Sequence, residues 1–397
     1  MNMEMKKTFR WMMGATALAV AVVVTSCSDD DDPQPGPDNG FVVNRDDLKG
    51  EITSGEVVLA EGTYKLTGAL VVKEGAKLVI KPGVIVEATA LPANQFAAVR
   101  FIGISRGAQI DVQGTANNPV VFTAAEEKPG AWGGLVLCGA APINKGETAQ
   151  SEVGDLAYGG TNASDNSGSI KYLRIEYSGY SYNDEKEFNG VSFFGVGSGT
   201  VVENIQVHEG SDDGFEWFGG TVNAKNLVVS NFSTEFVGDD LFDWTEGWVG
   251  NGENWYGVRT NDGNRGIEAD NNSNNHLATP VSNPTIKNLT LIGNGAGGEN
   301  HAIKLRVGTK GIFDNVVLSN WGTGFDVEHD EGISFVGDGS LKATGVKFDN
   351  VTKLSSGKNT AGAAADVSAV FSENSNATGA GAGTDKPEWT NGWTVGL

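Results

Sequence analysis

The stretch "VENIQV", residues 202–207, decides the fold because its pattern returns along the chain. The pattern is an apolar residue, a polar residue, Asn, and then two apolar positions with one residue between them. It recurs as "AKNLVV" at 224–229, "IKNLTL" at 286–291 and "FDNVVL" at 313–318, with a relative, "IKYLRI", at 170–175. Repeats of about 20 to 30 residues are typical of one turn of a solenoid.

The repeated Asn predicts how successive turns are joined. Asn204 and Asn226 are 22 residues apart, and Asn288 and Asn315 are 27 apart. An Asn at the same corner of each coil can hydrogen-bond the amide of the next, as in stacked cross-β arrays. No single coil can bury its apolar face alone, so neighbouring coils must stack.

Short β-type runs broken by Gly and Pro-Gly extend this pattern outward, most clearly in "EVVLAEGTYKLTGALVVKEGAKLVIKPGVIVEA", residues 56–88. Helical periodicity is missing over most of the chain. We therefore predict an all-β protein in which residues 41–355 form one parallel β-helix of about a dozen coils. The alternative is an antiparallel β-sandwich pair, which predicts frequent Asn-Gly hairpin turns, and these are few here.

Two acidic segments, "GSDDGFEWFGG" at 210–220 and "GDDLFDWTEGW" at 238–248, align with a step of 27 residues. The same step relates Glu216, Asp243 and Asp270 and predicts a column of carboxylates about 4.8 Å apart. Like charges at that distance raise each other's pKa or hold a cation between them. Glu216, Asp243 and Asp270 are therefore the candidate Ca²⁺ ligands. The alternative is that these are solvated corner acids whose aromatic neighbours, Phe215, Trp217, Phe242 and Trp244, lie in the core.

Several of these stretches, with "GTANNPVVFTAAEEKPGAWGGLVLCGAAPIN" at 114–144 and "DDGFEWFGGTVNAKNLV" at 212–228, resemble a family of secreted or lipid-anchored bacterial proteins. The resemblance covers about residues 50–330 and implies the right-handed parallel β-helix, or pectin-lyase-like, fold. It brings no established activity with it. Some related surface lipoproteins of the Bacteroides group are thought to form surface coats.

Enzymes of this fold suggest what a catalytic site would need. Lyases pair Ca²⁺ with an Arg or Lys base, for which the candidates are Arg259, Arg265, Lys304 and Arg306. Hydrolases use several Asp with a Gly-His-Gly element, which this sequence lacks. On the enzymatic alternative, a polysaccharide lyase or glycoside hydrolase, the catalytic candidates are Asp212, Asp213, Asp239, Asp240 and Arg306.

The N-terminus predicts the location of the protein. A basic start, an apolar run at 11–24 and "VTSC" at 24–27 form a bacterial lipoprotein signal peptide, residues 1–26, with Cys27 as the acylated residue. Residues 27–40 read as an acidic and Pro-rich tether. The acidic run after Cys27 resembles the export signal of Bacteroides-group surface lipoproteins. We expect a lipid anchor in the outer membrane, with the protein exposed at the cell surface.

The formal net charge of −22 disfavours nucleic acid as a partner, because phosphate contacts need Lys and Arg. Cys138 lies in an apolar run and is expected to be a buried free thiol. Residues 356–397 are expected to be a loose segment, with a short helix at 361–371 and a terminal "PEWTNGWTVGL" that caps the last coil. Trp248, Trp255, Tyr256 and Trp321 lie in Gly- and Asn-rich segments, where they would either stack on sugar rings or cover the solenoid.

These observations favour a surface lipoprotein whose β-helix is a binding, adhesion or surface-coat module for glycans, host surface proteins or copies of itself. The runner-up is the glycan-cleaving enzyme, with its centre at the two Asp pairs, Glu216 and Asp243.

Overall fold

The computed structural model describes residues 40–91, 99–183, 186–234, 238–295, 300–381 and 383–397. These residues belong to one compact unit, Pro37–Leu397. The predicted signal peptide, Cys27 and nearly all of the predicted tether lie outside the described residues, so their assignments stay predictions. Within the described part of the chain, no helix is long and apolar enough to cross a membrane.

The described unit is built almost entirely of short β-strands. In chain order they are β1 (Leu48–Ile52), β2 (Gly55–Leu59), β3 (Gly62–Val72), β4 (Ala76–Ile80), β5 (Val84–Ala88), β6 (Ile102–Ile104), β7 (Gln109–Gln113), β8 (Val120–Ala124), β9 (Leu135–Cys138), β10 (Ala149–Gln150), β11 (Ala157–Tyr158), β12 (Gly168–Glu176), β13 (Ser181–Asn183), β14 (Lys186–Glu187), β15 (Val191–Phe194), β16 (Val201–His208), β17 (Phe215–Phe218), β18 (Asn223–Asn231), β19 (Phe242–Thr245), β20 (Asn251–Arg259), β21 (Arg265–Ala269), β22 (Thr285–Ile292), β23 (His301–Leu305), β24 (Gly311–Glu328), β25 (Leu341–Lys358) and β26 (Phe371–Glu373). One α-helix, α1 (His329–Asp338), follows β24. Ser368–Val370 and Glu388–Thr390 form 3₁₀ turns.

Each coil contributes strands to three parallel ladders. The first halves of β16, β18, β20 and β22 pair in the first ladder, and their second halves pair in the second. The third ladder contains β6, β9, β15, β17, β19, β21 and β23, and then the second halves of β24 and β25. The prediction of a single right-handed parallel β-helix is confirmed.

The predicted Asn ladder stands at the corner between the first and second ladders. Asn226 donates to Asn204 at 2.8 Å, Asn254 donates to Asn226 at 2.9 Å, and the chain of bonds continues through Asn288 to Asn315. All five adopt a left-handed backbone, with φ between 56° and 59°. Asn tolerates this conformation better than other residues with a Cβ, and its side chain gains a partner on each neighbouring coil.

Aromatic side chains stack along the core behind the acidic segments. The ring centroids of Phe215 and Phe242 are 5.9 Å apart, and those of Trp217 and Trp255 are 5.0 Å apart. In both pairs the rings are nearly parallel. Trp244 is also fully buried. The prediction that the aromatic residues beside the acids face the core is confirmed. Cys138 is a buried free cysteine, also as predicted.

The end of the β-helix differs from the prediction. The predicted helix at 361–371 is wrong: this segment forms a turn, the short 3₁₀ turn and the start of β26. Val367 and Val370 are buried against the core, and Phe371 stacks 5.9 Å from Phe325. Burial against the last coils overrides the helical propensity of the Ala-rich segment.

The C-terminal tail lies along the side of the β-helix instead of capping its last coil. Gln206 accepts a hydrogen bond from Val395 N at 2.9 Å and donates to Val395 O at 2.8 Å. Further back, Thr290 accepts from Ala380 N at 3.0 Å. Trp393 is fully buried in a small cluster on the outer surface of the second ladder. The tail therefore runs back across several coils as a lateral strap.

Candidate functional site

The corner between the second and third ladders carries the two Asp pairs. The second Asp of each pair turns inward and bonds the backbone of the next coil. Asp213 Oδ1 accepts from Asp240 N at 2.9 Å, and Asp240 Oδ1 accepts from Arg265 N at 2.7 Å. Both side chains are buried. Asp213 and Asp240 thus satisfy backbone N–H groups that would otherwise be unpaired at a corner.

The first Asp of each pair faces an open cavity of about 270 Å³. Asp212 and Asp239 line it together with Glu187 and Asp262. Asn264 donates to Asp239. Burial, and then the charges of Glu187 and Asp239, raise the pKa of Asp212 well above its usual value. The four Asp that the sequence grouped into one catalytic set therefore divide into two that bond the backbone and two half-buried residues that line the cavity.

A row of outward side chains runs along the third ladder beside this corner. Pairing of β17 with β19 places Asp243 next to Glu216, as predicted, but pairing of β19 with β21 places Glu268 next to Asp243. The predicted position of Asp270 in this row is wrong. The corner before β21 is shorter than the one before β19, so the step from Asp243 to the next row residue is 25 residues and not 27.

Asp270 instead has a basic partner. Its carboxylate accepts two hydrogen bonds from Arg306, both at 3.0 Å. Arg306 also pairs with Glu268 at 2.8 Å. Burial lowers the pKa of Arg306, but the Asp270 and Glu268 carboxylates outweigh burial and raise it overall. Asp270 is thus neutralised within the fold.

Asp213, at the corner, and Glu216 and Asp243, in the row, have no such partner among the described residues. Ligand oxygens of Asp213, Glu216 and Asp243 lie within 4.8 Å of one another. None of the ion pairs among the described residues reaches them. Burial, then Asp243, raises the pKa of Glu216, and burial, then Asp213, raises that of Asp243. We call these three residues the acid cluster.

Asn189 completes the surroundings of the acid cluster. Its Nδ2 donates to Glu216 Oε2 at 2.6 Å and to Ser192 Oγ at 3.2 Å. Asn189 is 2% exposed, and its Oδ1 has no hydrogen-bond partner among the described residues. A buried amide oxygen without a donor is costly. Carboxylate and amide oxygens are the ligands that Ca²⁺ takes. Asn189 could not be singled out from its sequence position, because it lies in a loop before β15 and outside the repeated pattern.

The basic residues proposed for a lyase all have structural partners. Arg259 is 1% exposed and donates to the carbonyl oxygens of Gly238, Asp239 and Arg265. Arg265 pairs with Asp240 at 3.4 Å and with Glu268 at 3.0 Å. The four candidates are thus spread over different contacts: Arg259 on carbonyls, Arg265 and Arg306 on corner and row acids, and Lys304 on Asp326 and Glu328.

The aromatic residues proposed for sugar stacking are not exposed. Trp248 and Trp255 are fully buried, and Trp321 is 1% exposed. Tyr256 is 5% exposed, and its hydroxyl donates to Thr384 O in the tail. The surface-stacking alternative is therefore wrong for these four, because the Gly- and Asn-rich neighbours form tight corners and not open loops.

Comparison with known proteins identifies the domain type. A family model described as a pectate-lyase-like β-helix domain matches residues 50–394. A search of curated proteins found no match, and a search of solved structures found none.

Proposed function

Because the chain belongs to the pectate-lyase-like β-helix domain family, we propose that its β-helix is a binding module held at the cell surface by a lipid on Cys27. In this proposal a Ca²⁺ ion at the acid cluster joins the module to an oxygen-rich ligand, a glycan. The observation that carries the proposal is the acid cluster itself, with its buried and unpartnered Asn189 oxygen.

Electrostatics favour a cation at this position. Three carboxylates within 4.8 Å repel each other strongly when ionised in a partly buried site. A divalent cation removes that repulsion and provides the missing partner for Asn189. Open coordination positions on Ca²⁺ accept hydroxyl and carboxylate oxygens. A bound cation would thus let an acidic surface hold a sugar.

The partners of the other charged residues support binding over cleavage. A lyase needs a free base beside the metal, and a hydrolase needs two carboxyl groups on either side of the scissile bond. Here Arg265 and Arg306 are paired with carboxylates, and Asp213 and Asp240 hold the backbone of the next coil. Each of these charged residues therefore has a structural contact within the fold.

The location rests on the N-terminal sequence. A membrane anchor would come from acyl chains on Cys27, followed by the acidic tether, and would expose the β-helix outside the outer membrane. Labelling with a palmitate analogue should mark the wild type and not Cys27→Ala. Protease treatment of intact cells should remove the protein; survival until lysis would contradict surface exposure.

Binding and cleavage can be separated with a panel of acidic and neutral glycans, assayed with Ca²⁺ and with chelator. We expect retention that requires Ca²⁺, and neither new reducing ends nor absorbance from unsaturated sugars. Turnover that is lost in Asp212→Asn or Asp239→Asn would instead establish the enzymatic alternative. Retention of none of the glycans, with concentration-dependent self-assembly, would point to a surface coat.

A further inference from the structure

A second cavity, of about 360 Å³, lies on the last coils of the third ladder. We call it the lysine cavity. Its charged and polar lining comes from β23 and from the second halves of β24 and β25. These residues are His301, Lys304, Asp326, Glu328, Lys353, Ser356 and Lys358. None of them belongs to the acid cluster.

The lysine cavity has the opposite charge to the rest of the molecule. Among the described residues that line it, three Lys face two acids, which gives them a net charge of +1 with His301 neutral, in a chain whose formal net charge is −22. Along the row of the third ladder, pairing of β21 with β23 places Lys304 beside Glu268, and the next coil places Asp326 on the other side of Lys304. A local field of this kind attracts anions to a surface that otherwise repels them.

The inner wall of the cavity is rigid. Lys304 is only 6% exposed and lies 3.6 Å from Asp326 and 3.3 Å from Glu328. His301 Nδ1 lies 3.5 Å from Asp326 Oδ2, so the same carboxylate faces both Lys304 and the His301 imidazole. Buried charges held between two partners keep their geometry when a ligand arrives.

The outer rim carries the exposed positive charges. Lys358 pairs with Glu328 at 3.2 Å and is half exposed. Lys353 donates to the Ser356 hydroxyl at 2.8 Å and has no carboxylate partner among the described residues. An ammonium group that holds only a hydroxyl can turn to an incoming oxyanion at little cost, and Ser356 can then donate to the same oxyanion.

We propose that the lysine cavity is an oxyanion-binding site that takes a carboxylate, sulfate or phosphate group, either free or carried by a sugar. Lys353 and Lys358 bind the anion, Ser356 donates a hydrogen bond, and Lys304 provides a fixed positive charge behind it. The site is independent of the Ca²⁺ proposal, since it shares no ligand with the acid cluster.

The test uses full-length folded protein in chelator, so that the acid cluster holds no cation and the two proposals can fail separately. Calorimetry would measure binding of inorganic sulfate, inorganic phosphate and glucuronate. The variant is Lys353→Gln/Lys358→Gln, and the matched control is Lys225→Gln, an exposed Lys that pairs with Glu253 on the first ladder.

We expect saturable binding that weakens with added salt. Loss of two charge-assisted contacts should weaken it by about tenfold or more in the double variant, and the control should bind like wild type. Binding of glucuronate alone would assign the site to a sugar carboxylate, and binding of sulfate or phosphate as well would assign it to oxyanions in general. Absence of binding by all three anions, or equal binding by the double variant, would overturn the proposal.

Discussion

Asp243 lies directly beside Glu216 in the parallel pairing of β17 and β19, with no ion-pair partner for either carboxylate among the described residues. Across the next pairing, Asp243 meets Glu268, which does have Arg265 and Arg306 as partners. The carboxylates of the row that lack a basic partner are therefore confined to the coils of β17 and β19.

Stability in chelator should fall as the pH rises. Burial and neighbouring charges raise the pKa values of Asp213, Glu216 and Asp243 well above those of ordinary carboxyl groups. The same causes raise the pKa of Glu268 to about 8. In the folded state these carboxyl groups keep their protons at pH values where the unfolded chain, whose carboxyl groups titrate at about pH 4, has released them. The stabilisation of the folded state by these bound protons is complete below that pH. It is lost as the pH rises through the pKa values of the folded state. Melting temperatures measured from about pH 5 to pH 8 should decline.

Ca²⁺ should remove most of that decline, because the ion replaces the protons. NaCl at matched ionic strength is the control for the screening of charge repulsion by salt. A melting temperature that stays level or rises over the same pH range in chelator would show that ionisation of these carboxylates does not destabilise the folded state.

Substitution of Asn254 in the Asn ladder should destabilise the fold, because the Asn254 side chain hydrogen-bonds both neighbouring coils. Asn254→Ala loses two hydrogen bonds and puts Ala, which tolerates the left-handed backbone less well than Asn, at φ 58°, for an expected cost of about 1–3 kcal/mol. Asn254→Gly loses the same bonds but tolerates the backbone, so it should cost about 1 kcal/mol less. Urea unfolding of both variants measures the difference. Equal losses would mean that the backbone conformation contributes nothing.

The tail should be held mainly by Trp393. Trp393→Ala removes a fully buried side chain, worth about 3–5 kcal/mol in a protein core, and should free the strap while leaving the coils folded. Limited proteolysis should then remove residues near the C-terminus of the variant first. Trp389→Ala, at a partly exposed position in the same cluster, is the matched control and should have a smaller effect. Equal protease resistance of Trp393→Ala and wild type would contradict a strap anchored at Gln206 and Trp393.

The repeated Asn predicted the β-helix because the ladder depends on one residue type at one corner of each coil. Asn254 escaped notice because Gly252 stands where the pattern has an apolar residue, and because its spacings are 28 and 34 residues. The same irregularity explains the error at Asp270. A fixed step of 27 holds from Glu216 to Asp243, but coil lengths vary at the corners, and a sequence does not reveal how many residues a corner takes up.

Particular side-chain contacts between neighbouring coils could not be predicted from the sequence for a related reason. Asn189 meets Glu216, and Lys304 meets Asp326 and Glu328, only after the coils stack in their actual register. Burial of Trp248 and Trp321 was also hidden, since Gly and Asn beside a Trp are equally consistent with an exposed loop and with a tight solenoid corner.

Calorimetric titration of Ca²⁺ into chelator-stripped protein, with melting temperatures recorded in parallel, tests the acid cluster most directly. The wild type and the control Asp314→Asn, an exposed acid on the first ladder, should give saturable heat and a rise in melting temperature. Asp243→Asn should melt higher than wild type in chelator, because one repelling charge is gone, and should bind Ca²⁺ at least about tenfold more weakly. Absence of heat and of any thermal shift in the wild type, or equal Ca²⁺ affinity in Asp243→Asn, would contradict a cation site at Asp213, Glu216 and Asp243.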